Sequence, residues 1–345
     1  MRPSIPKWRH RSETILRFIC NYGVYRCPET FNNLRKVLSM QLIPWRSDRD
    51  TGIVGIGQPF IKMHGLRNDF IIIDARNKPF SPSVEEIQKI CDRREGIGAD
   101  ELVIVEQPAL SDAKEGIEAF VRIINTDGRE VEACGNASRC VGWLLMKERN
   151  QSSISFRTLG GKLNCLLRAD KTVSVGMGRL RTEWHAIPIS QEMDTLHLDI
   201  EIGPLQDPVG MNIGNPHAVF FVDDIDGVDL ETYGPELQHH PLFPEEANIG
   251  VAQMISDSTM RLAVWERPGA LTTACGSGAC AAVGAALRRG LTDQKKMDVI
   301  MPAGTLEIEI NKENEATMTG PVEVCFTGCL PTNVPLGEWE KIPRL

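Results

Sequence analysis

Two stretches, Ala133-Cys134-Gly135-Asn136 and Ala274-Cys275-Gly276-Ser277, each follow a β-rich run and each open an apolar, helix-like segment. The first amides of a helix lack intrahelical partners and its macrodipole is positive there, so a cysteine at that end tends toward thiolate. Gly135 and Gly276 leave room for an anion to approach the bare amides. Such a pair suits an acid and a base facing one substrate: one thiol, one thiolate, and a carboxylate held at the helix ends. A lone Ala-Cys-Gly is more often a buried structural cysteine. The repetition is what argues for chemistry.

The repetition extends beyond the cysteines. Cys134 and Cys275 are 141 residues apart, Gly161 and Gly304 are 143 apart, and Gly178 and Gly320 are 142 apart. Upstream, Asn68-Asp69-Phe70-Ile71-Ile72-Ile73-Asp74 opens one half and Asn215-Pro216-His217-Ala218-Val219-Phe220-Phe221-Val222-Asp223 the other. Asn125 lies nine residues before Cys134, and Glu266 nine before Cys275. This offset is far longer than solenoid periods of roughly 20–50 residues, so the pattern is a duplicated domain.

The elements that must position these residues follow from local pattern. Strands are expected at Phe70 to Asp74, Glu101 to Val105 and Ala119 to Asn125, with a helix from Val84 to Arg93 opened by a Ser83/Glu86 capping box. Hairpin-like runs follow the Cys134 helix at Ser153 to Thr158, Lys162 to Arg168 and Thr172 to Gly176, with a turn at Ala169-Asp170-Lys171. The second half repeats the order: strand Ala218 to Val222, helix Leu230 to His239, strands Asn248 to Ile255 and Met260 to Trp265, then the Cys275 helix with Gly290 as its C-terminal stop, and a hairpin around Asn311 to Glu315. A helix apolar all round must be wrapped. The expected fold is therefore α+β, with two similar domains, each a mostly antiparallel curled sheet around a central apolar helix.

Composition fits a soluble enzyme of two domains with real cores. The 345 residues are 24% charged, and no apolar run approaches the length of a membrane span. A net charge of −8 argues against nucleic acid as partner. Residues 1–57 differ, with ten Lys/Arg against four Asp/Glu, a local +6 that leaves −14 elsewhere. They read as a disordered extension, a start placed too early, or a targeting peptide, and in each case as non-catalytic. Strand-like order is expected from Met63. The ten cysteines include no Cys-x-x-Cys pair and read as cytosolic thiols, with no metal site and no disulfide framework. The domains are drawn at 58–182, carrying Cys134, and 183–335, carrying Cys275, the last strand packing on the first domain; 336–345 is a tail.

Seven motifs in order resemble the diaminopimelate epimerase family: His64-Gly65-Leu66-Arg67-Asn68-Asp69-Phe70, Asn125-Thr126-Asp127-Gly128, Ala133 to Cys140, Gly214-Asn215-Pro216-His217-Ala218, Asn248-Ile249-Gly250, Glu266-Arg267 and Ala274 to Cys280. The resemblance runs from about Phe60 to Gly328. It implies a cofactor-independent isomerase interconverting LL- and meso-diaminopimelate, on the way to lysine and peptidoglycan, with the site in a cleft between the halves. It makes Cys134 and Cys275 the catalytic pair and His217 and Glu266 the residues that tune them. It places the reacting carboxylate at the amides of Gly135, Asn136, Gly276 and Ser277, with Glu266 also holding the reacting ammonium. The distal end falls to Asn125, Asn215, Asn248 and Arg267, with Asn68 lining that pocket and Glu101 standing where a substrate-contacting Gln is common. Arg67 in place of a common Gly, and Pro268-Gly269-Ala270-Leu271 in place of a Gly-Ala-Gly-Glu-like run, depart from the pattern. A homodimer in the cytoplasm is implied, a plastid being the alternative for the basic N-terminus. A histidine- or proline-type racemase using the same thiols is the second reading, since it needs no distal zwitterion site.

Overall fold

The computed structural model describes residues 57–132, 134–267 and 269–331. The expectations for residues 1–56 and for the tail lie outside the described residues. The first half runs β1 (Gly57–Gly65), β2 (Asn68–Asp74), α1 (Val84–Cys91), β3 (Glu101–Glu106), α2 (Leu110–Lys114), β4 (Phe120–Asn125), β5 (Glu130–Val131), α3 (Gly135–Arg149), β6 (Ser153–Thr158), β7 (Gly161–Leu167) and β8 (Val173–Arg179). A small hairpin, β9 (Glu201–Ile202) and β10 (Leu205–Gln206), precedes β11 (Val209–Asn212). Then come β12 (Pro216–Phe221), α4 (Leu230–Gln238), β13 (Asn248–Ser256), β14 (Thr259–Glu266), β15 (Ala270–Thr272), α5 (Gly276–Arg288), β16 (Lys296–Met301), β17 (Gly304–Ile310), β18 (Glu315–Gly320) and β19 (Glu323–Pro331).

The fold is α+β and carries the duplication in its strand pairing. β2 is parallel to β3 as β12 is to β13, and β4 is parallel to β6 as β14 is to β16. The antiparallel pairs β3–β4, β6–β7 and β7–β8 recur as β13–β14, β16–β17 and β17–β18. Each half is thus more mixed than the mostly antiparallel sheet expected. The reason is topological: α1 and α4 link β2 to β3 and β12 to β13, and a crossover through a helix returns the chain parallel. β8 pairs with β18 across the halves, and β19 returns to pair with β1, within one 17-stranded sheet. Strand is already present at Gly57, six residues before Met63, because Gly57 to Phe60 pair with β19, β2 joining only from Ile61.

Side-chain alternation explains why β2 and β3 are apolar throughout. Phe70, Ile72, Val103 and Val105 face the core that surrounds α3 and α5, whereas Ile71, Ile73, Leu102 and Ile104 face Ile87 and Ile90 of α1. A strand covered on both faces loses the polar face of an amphipathic strand. In the second half Ala218, Phe220, Ile249 and Val251 pack against Leu230 and Leu237 of α4 in the same way. α5 is buried from Gly278 to Ala286, and its run of Ala and Gly lets strands approach closely. Both central helices end in left-handed caps: Asn150 at φ 54° after α3 and Gly290 at φ 66° after α5, with Gln151 and Leu291 donating back to Met146 and Ala286. α1 starts at the expected box, Ser83 N–H to Glu86 Oε2 at 2.8 Å and Glu86 N–H to Ser83 Oγ at 3.3 Å, and stops two residues early at Cys91.

Candidate active site

Cys134 and Cys275 are the N-cap residues of α3 and α5, each with extended backbone, φ −135° and −126°. The chain enters both helices from a strand pair, β4–β5 and β14–β15, so the two thiols are delivered by equivalent turns. The helix ends share one support. A Cβ on Gly135 would lie 2.5 Å from Met318 Cε and 2.9 Å from Met177 Sδ, and one on Gly276 would lie 2.8 Å from Met318 Sδ and 3.9 Å from Met177 Cε. Met177 and Met318 sit on β8 and β18, the strands that join the halves. A side chain at either first helical position would press on the tip of Met318, and at Gly135 on that of Met177 as well, so glycine lets both helix ends close onto the methionines without displacing them. Nothing in the sequence motifs marks the two methionines; only the cross-pairing of β8 with β18 brings them here.

Each thiol faces a carboxyl group. Glu266, at the end of β14, stands against the Cys275 thiol and accepts from Thr272 Oγ1 at 3.1 Å. Glu101, at the start of β3, stands against the Cys134 thiol, and its Oε2 is buried without a hydrogen-bond partner among the described residues. Glu101 is therefore a counterpart of Glu266, which the position-by-position resemblance did not reveal. Strand register shows why. Glu101 pairs with Asn125, and Asn248 stands one step beyond the Ile249–Trp265 pair, opposite Glu266. Each half thus carries one Glu and one Asn at its paired strand ends, in exchanged places.

The electrostatics correct one expectation. Burial, followed by the facing carboxylate, pushes both thiols well up, while the amides of Asn136 and Ala137 at Cys134, and Ser277 and the Gly278 amide at Cys275, act the other way. Gly278 N–H donates to Cys275 Sγ at 3.3 Å. The helix ends alone thus do not make either cysteine a thiolate, because desolvation outweighs them. Burial also pushes the Glu101 carboxyl up to about 7, with the Cys134 thiol beside it acting the other way and Asp100 and Glu266 adding to the rise. Glu266 is raised by burial as well. Thiol and carboxyl in each pair compete for one proton in a poorly solvated space.

The remaining site residues divide into two groups. Asn68 stands against the first thiol: its Oδ1 accepts from Asn136 Nδ2 at 3.0 Å and lies 3.7 Å from Cys134 Sγ, while its Nδ2 donates to Asp100. His217 is fully buried and pushed down to about 3 by burial and then by the Arg267 charge, so its ring is neutral. Its Nε2 meets Asn215 Oδ1 at 2.9 Å, Asn215 Nδ2 reaches Ser277 Oγ at 3.5 Å, and Ser277 Oγ is 3.5 Å from Cys275 Sγ. Among the described residues, that relay is what links His217 to the thiol. Asn248 is committed to backbone, donating to Pro216 O at 2.9 Å and accepting from Arg267 N–H at 3.1 Å. It holds the β12–β13 edge and presents Arg267, whose guanidinium donates to Glu245 O. Asn125 has its backbone tied to Arg129 and Gly128 in the turn that leads to Cys134.

The two departures are also placed. Leu66 and Arg67 form the two-residue β1–β2 loop at φ 55° and 64°, the left-handed region that mirror-image hairpin turns demand. Leu271 pairs with Trp265 on β15 and is 44% exposed; Pro268 lies outside the described residues.

The diaminopimelate epimerase family model matches residues 60–183 and 209–325. The chain is 44% identical to the diaminopimelate epimerase of Rhodospirillum centenum over 288 residues, 81% of this chain and 97% of that one. It is 43% identical to the enzyme of the same name from Acidiphilium cryptum, covering 79% and 95%. Among solved structures it resembles a hydroxyproline epimerase from Agrobacterium vitis (TM-score 0.55, 14% identity, 81% and 94% covered) and a phenazine biosynthesis protein from Bacillus anthracis (TM-score 0.54, 14% identity, 79% and 98% covered). Those two likenesses are of fold.

Proposed function

The chain belongs to the diaminopimelate epimerase family, and from that premise we propose that it interconverts LL- and meso-diaminopimelate without a cofactor, using Cys134 and Cys275 as a two-base pair. The observation that carries the mechanism is the meeting of two cysteine-capped helix ends on the same two methionines, each thiol facing its own glutamate. Inversion at an α-carbon needs a proton removed from one face and another delivered to the opposite face. One cysteine, as thiolate, takes the α-proton; the other, as thiol, returns a proton from across the carbon, so the enzyme ends with the roles exchanged. The reacting carboxylate lies at the amides of Gly135, Asn136, Gly276 and Ser277, whose oriented donors stabilise charge developing on it. A carboxylate bound there displaces water and meets the positive ends of α3 and α5. Glu101 and Glu266 take up or release a proton beside each thiol, and Glu266 also meets the reacting ammonium. His217, neutral, acts on Cys275 through Asn215 and Ser277.

Asn125, Asn215 and Arg267 are proposed for the distal amino-acid group, with Asn248 supporting Arg267. The test is proton NMR in D₂O with reduced protein, following the α-proton of LL-diaminopimelate beside proline, histidine and glutamate. Exchange confined to diaminopimelate supports the proposal. Exchange of another amino acid alone keeps the two-thiol chemistry and replaces the substrate.

Further parts of the proposal concern organisation. The division at 182/183 is supported by the repeated strand pairing and is tested by limited proteolysis, first cuts inside either half counting against it. Residues 1–57 are non-catalytic apart from the strand start at Gly57, so a chain beginning at Gly57 should keep full activity. A homodimer would scatter light as twice the chain mass. Among the described residues no helix is long and apolar enough to cross a membrane, and all eight cysteines are free. A reducing cytoplasm suits a pair of thiols that must stay reduced, and fractionation of cells tests it.

A further inference from the structure

The two halves set amides of opposite polarity beside their thiols. Strand pairing puts Phe70 opposite Glu101 and His217 opposite Asn248. Glu101 and Asn248 hold equivalent places in the two halves, so Phe70 corresponds to His217, Asn68 to Asn215 and Asp100 to Ala247. In the first half the Asp100 carboxylate, ion-paired with Arg93 at 2.7 Å, accepts from Asn68 Nδ2 at 3.0 Å. A carboxylate only accepts, so this contact turns the other end of the amide, Oδ1, toward α3. There Oδ1 accepts from Asn136 Nδ2 at 3.0 Å and stands 3.7 Å from Cys134 Sγ, which can bond to it only as S–H. Asn136 is oriented in turn: with Nδ2 given to Asn68, its own Oδ1 is buried without a partner among the described residues. The second half has Ala247 at the Asp100 position and a ring where the first has Phe70. Neutral His217 meets Asn215 Oδ1 through Nε2 at 2.9 Å, which turns Asn215 Nδ2 to Ser277 Oγ. With a lone pair so engaged, the Ser277 hydroxyl is free to donate to Cys275 Sγ at 3.5 Å, and the Gly278 N–H, which can only donate, reaches that sulfur at 3.3 Å.

We propose that Asp100 is a positioning residue that fixes the Asn68 amide with its oxygen toward Cys134, so that in the unliganded protein Cys134 is held as the thiol and Cys275 ionises first. This rests on the two-thiol reading above and names which thiol starts as base. The other surroundings of the two sulfurs match. Each is buried and faces a carboxyl group, Glu101 from β3 or Glu266 from β14. Each lies at helix amides, those of Asn136 and Ala137 on α3 and that of Gly278 on α5, but among the described residues only the last makes a hydrogen bond to its sulfur. Arg139, the buried cation of α3, donates to Met318 beneath both helix ends. Behind Asn68, Arg93 pairs with both Asp69 and Asp100. What differs is the sense of the bonds at sulfur: a thiol facing an acceptor keeps its proton, and one facing donors is eased toward the anion.

The test is alkylation of the full, reduced, substrate-free chain with iodoacetamide over a pH series from about 6 to about 10.5, each cysteine being followed by peptide mass spectrometry. The pH midpoint reports thiolate formation independently of access. In the wild type the Cys275 midpoint should fall inside the series and lie at least about one pH unit below that of Cys134, a tenfold difference in proton affinity. Asp100→Asn puts an amide where the carboxylate stood and frees Asn68 to turn; Asn68→Leu removes the acceptor and keeps the Asp100 charge. Both should lower the Cys134 midpoint by at least about half a unit, a threefold change, and leave that of Cys275 in place. A Cys134 midpoint equal to or below that of Cys275 in the wild type would overturn the proposal even if no variant folds, as would a Cys275 that shows no midpoint in the series. So would an Asn68→Leu protein, folded by circular dichroism, with an unchanged Cys134 midpoint, since any effect of Asp100→Asn would then be one of charge alone. Because alkylation needs no turnover, a wild type with the expected order but no exchange of diaminopimelate would sink the substrate assignment and leave the role of Asp100 standing.

Discussion

Glu101→Gln isolates the carboxyl that the structure places beside the first thiol. Burial moves this group from an ordinary 4.5 to about 7. A tenfold change in proton affinity is worth about 1.4 kcal/mol, so ionising Glu101 in the folded protein costs up to about 3 kcal/mol more than in the unfolded chain. The sign follows from proton counting. Between pH 4.5 and 7 the folded state holds a proton that the unfolded state has released, so stability falls as pH rises through this window and levels off above it. Glutamine fills the same space and has nothing to ionise. Urea unfolding of both proteins by circular dichroism, at pH 4.5, 6, 7 and 8, should therefore show the wild type losing up to about 3 kcal/mol relative to the variant. Contributions from every other titrating group cancel to first order in that difference. The variant should also alkylate at Cys134 at lower pH, since the Glu101 charge opposes ionisation of that thiol. Parallel stability curves would refute the argument, because they would mean that Glu101 ionises like a solvated carboxylate.

Cys134→Ala and Cys275→Ala should each lower epimerisation at least about a thousandfold, within the range for losing a positioned acid or base, with unfolding midpoints near wild type; turnover retained in either folded variant rules out the two-base scheme. Arg67→Gly should stabilise the protein by about 1 kcal/mol, because an exposed side chain is held at φ 64° in a tight hairpin loop; chemical denaturation showing no gain would mean that the loop carries no strain. His217 should remain neutral throughout the physiological range. Its ring shifts in NMR should not titrate between pH 5 and 8, and its contribution to stability should be lost only as pH falls from 6.5 toward about 3; a midpoint near 6.5 would show a solvated imidazole.

Much of this chain is readable before folding, for reasons that are local. The Ser83 capping box, the left-handed stop at Gly290 and the Ala169-Asp170-Lys171 turn each depend on hydrogen bonds or torsions within a few residues, and each is found where the sequence puts it. Helix ends were read less well: α1 stops at Cys91 because Asp92 takes an extended conformation. The parallel pairs were not legible, since a strand buried on both faces looks the same whether its neighbour runs with it or against it. Nor was β1 before Met63, whose outer partner β19 lies more than 250 residues away in the chain.

The sequence by itself determined that two cysteine-capped helices would occur at one offset, each behind a strand pair, because N-cap chemistry and the 141-residue repeat are carried by the chain. What only the tertiary structure decided is how those caps behave. Pairing β8 with β18 puts the same two methionines under both helix ends, and strand register places Glu101 opposite Asn125 but Asn248 opposite Glu266. Burial then raises the thiols that the helix ends would lower. Desolvation is a property of everything packed around a group, so a motif of four residues can specify a thiol at a helix end and leave its proton to the fold.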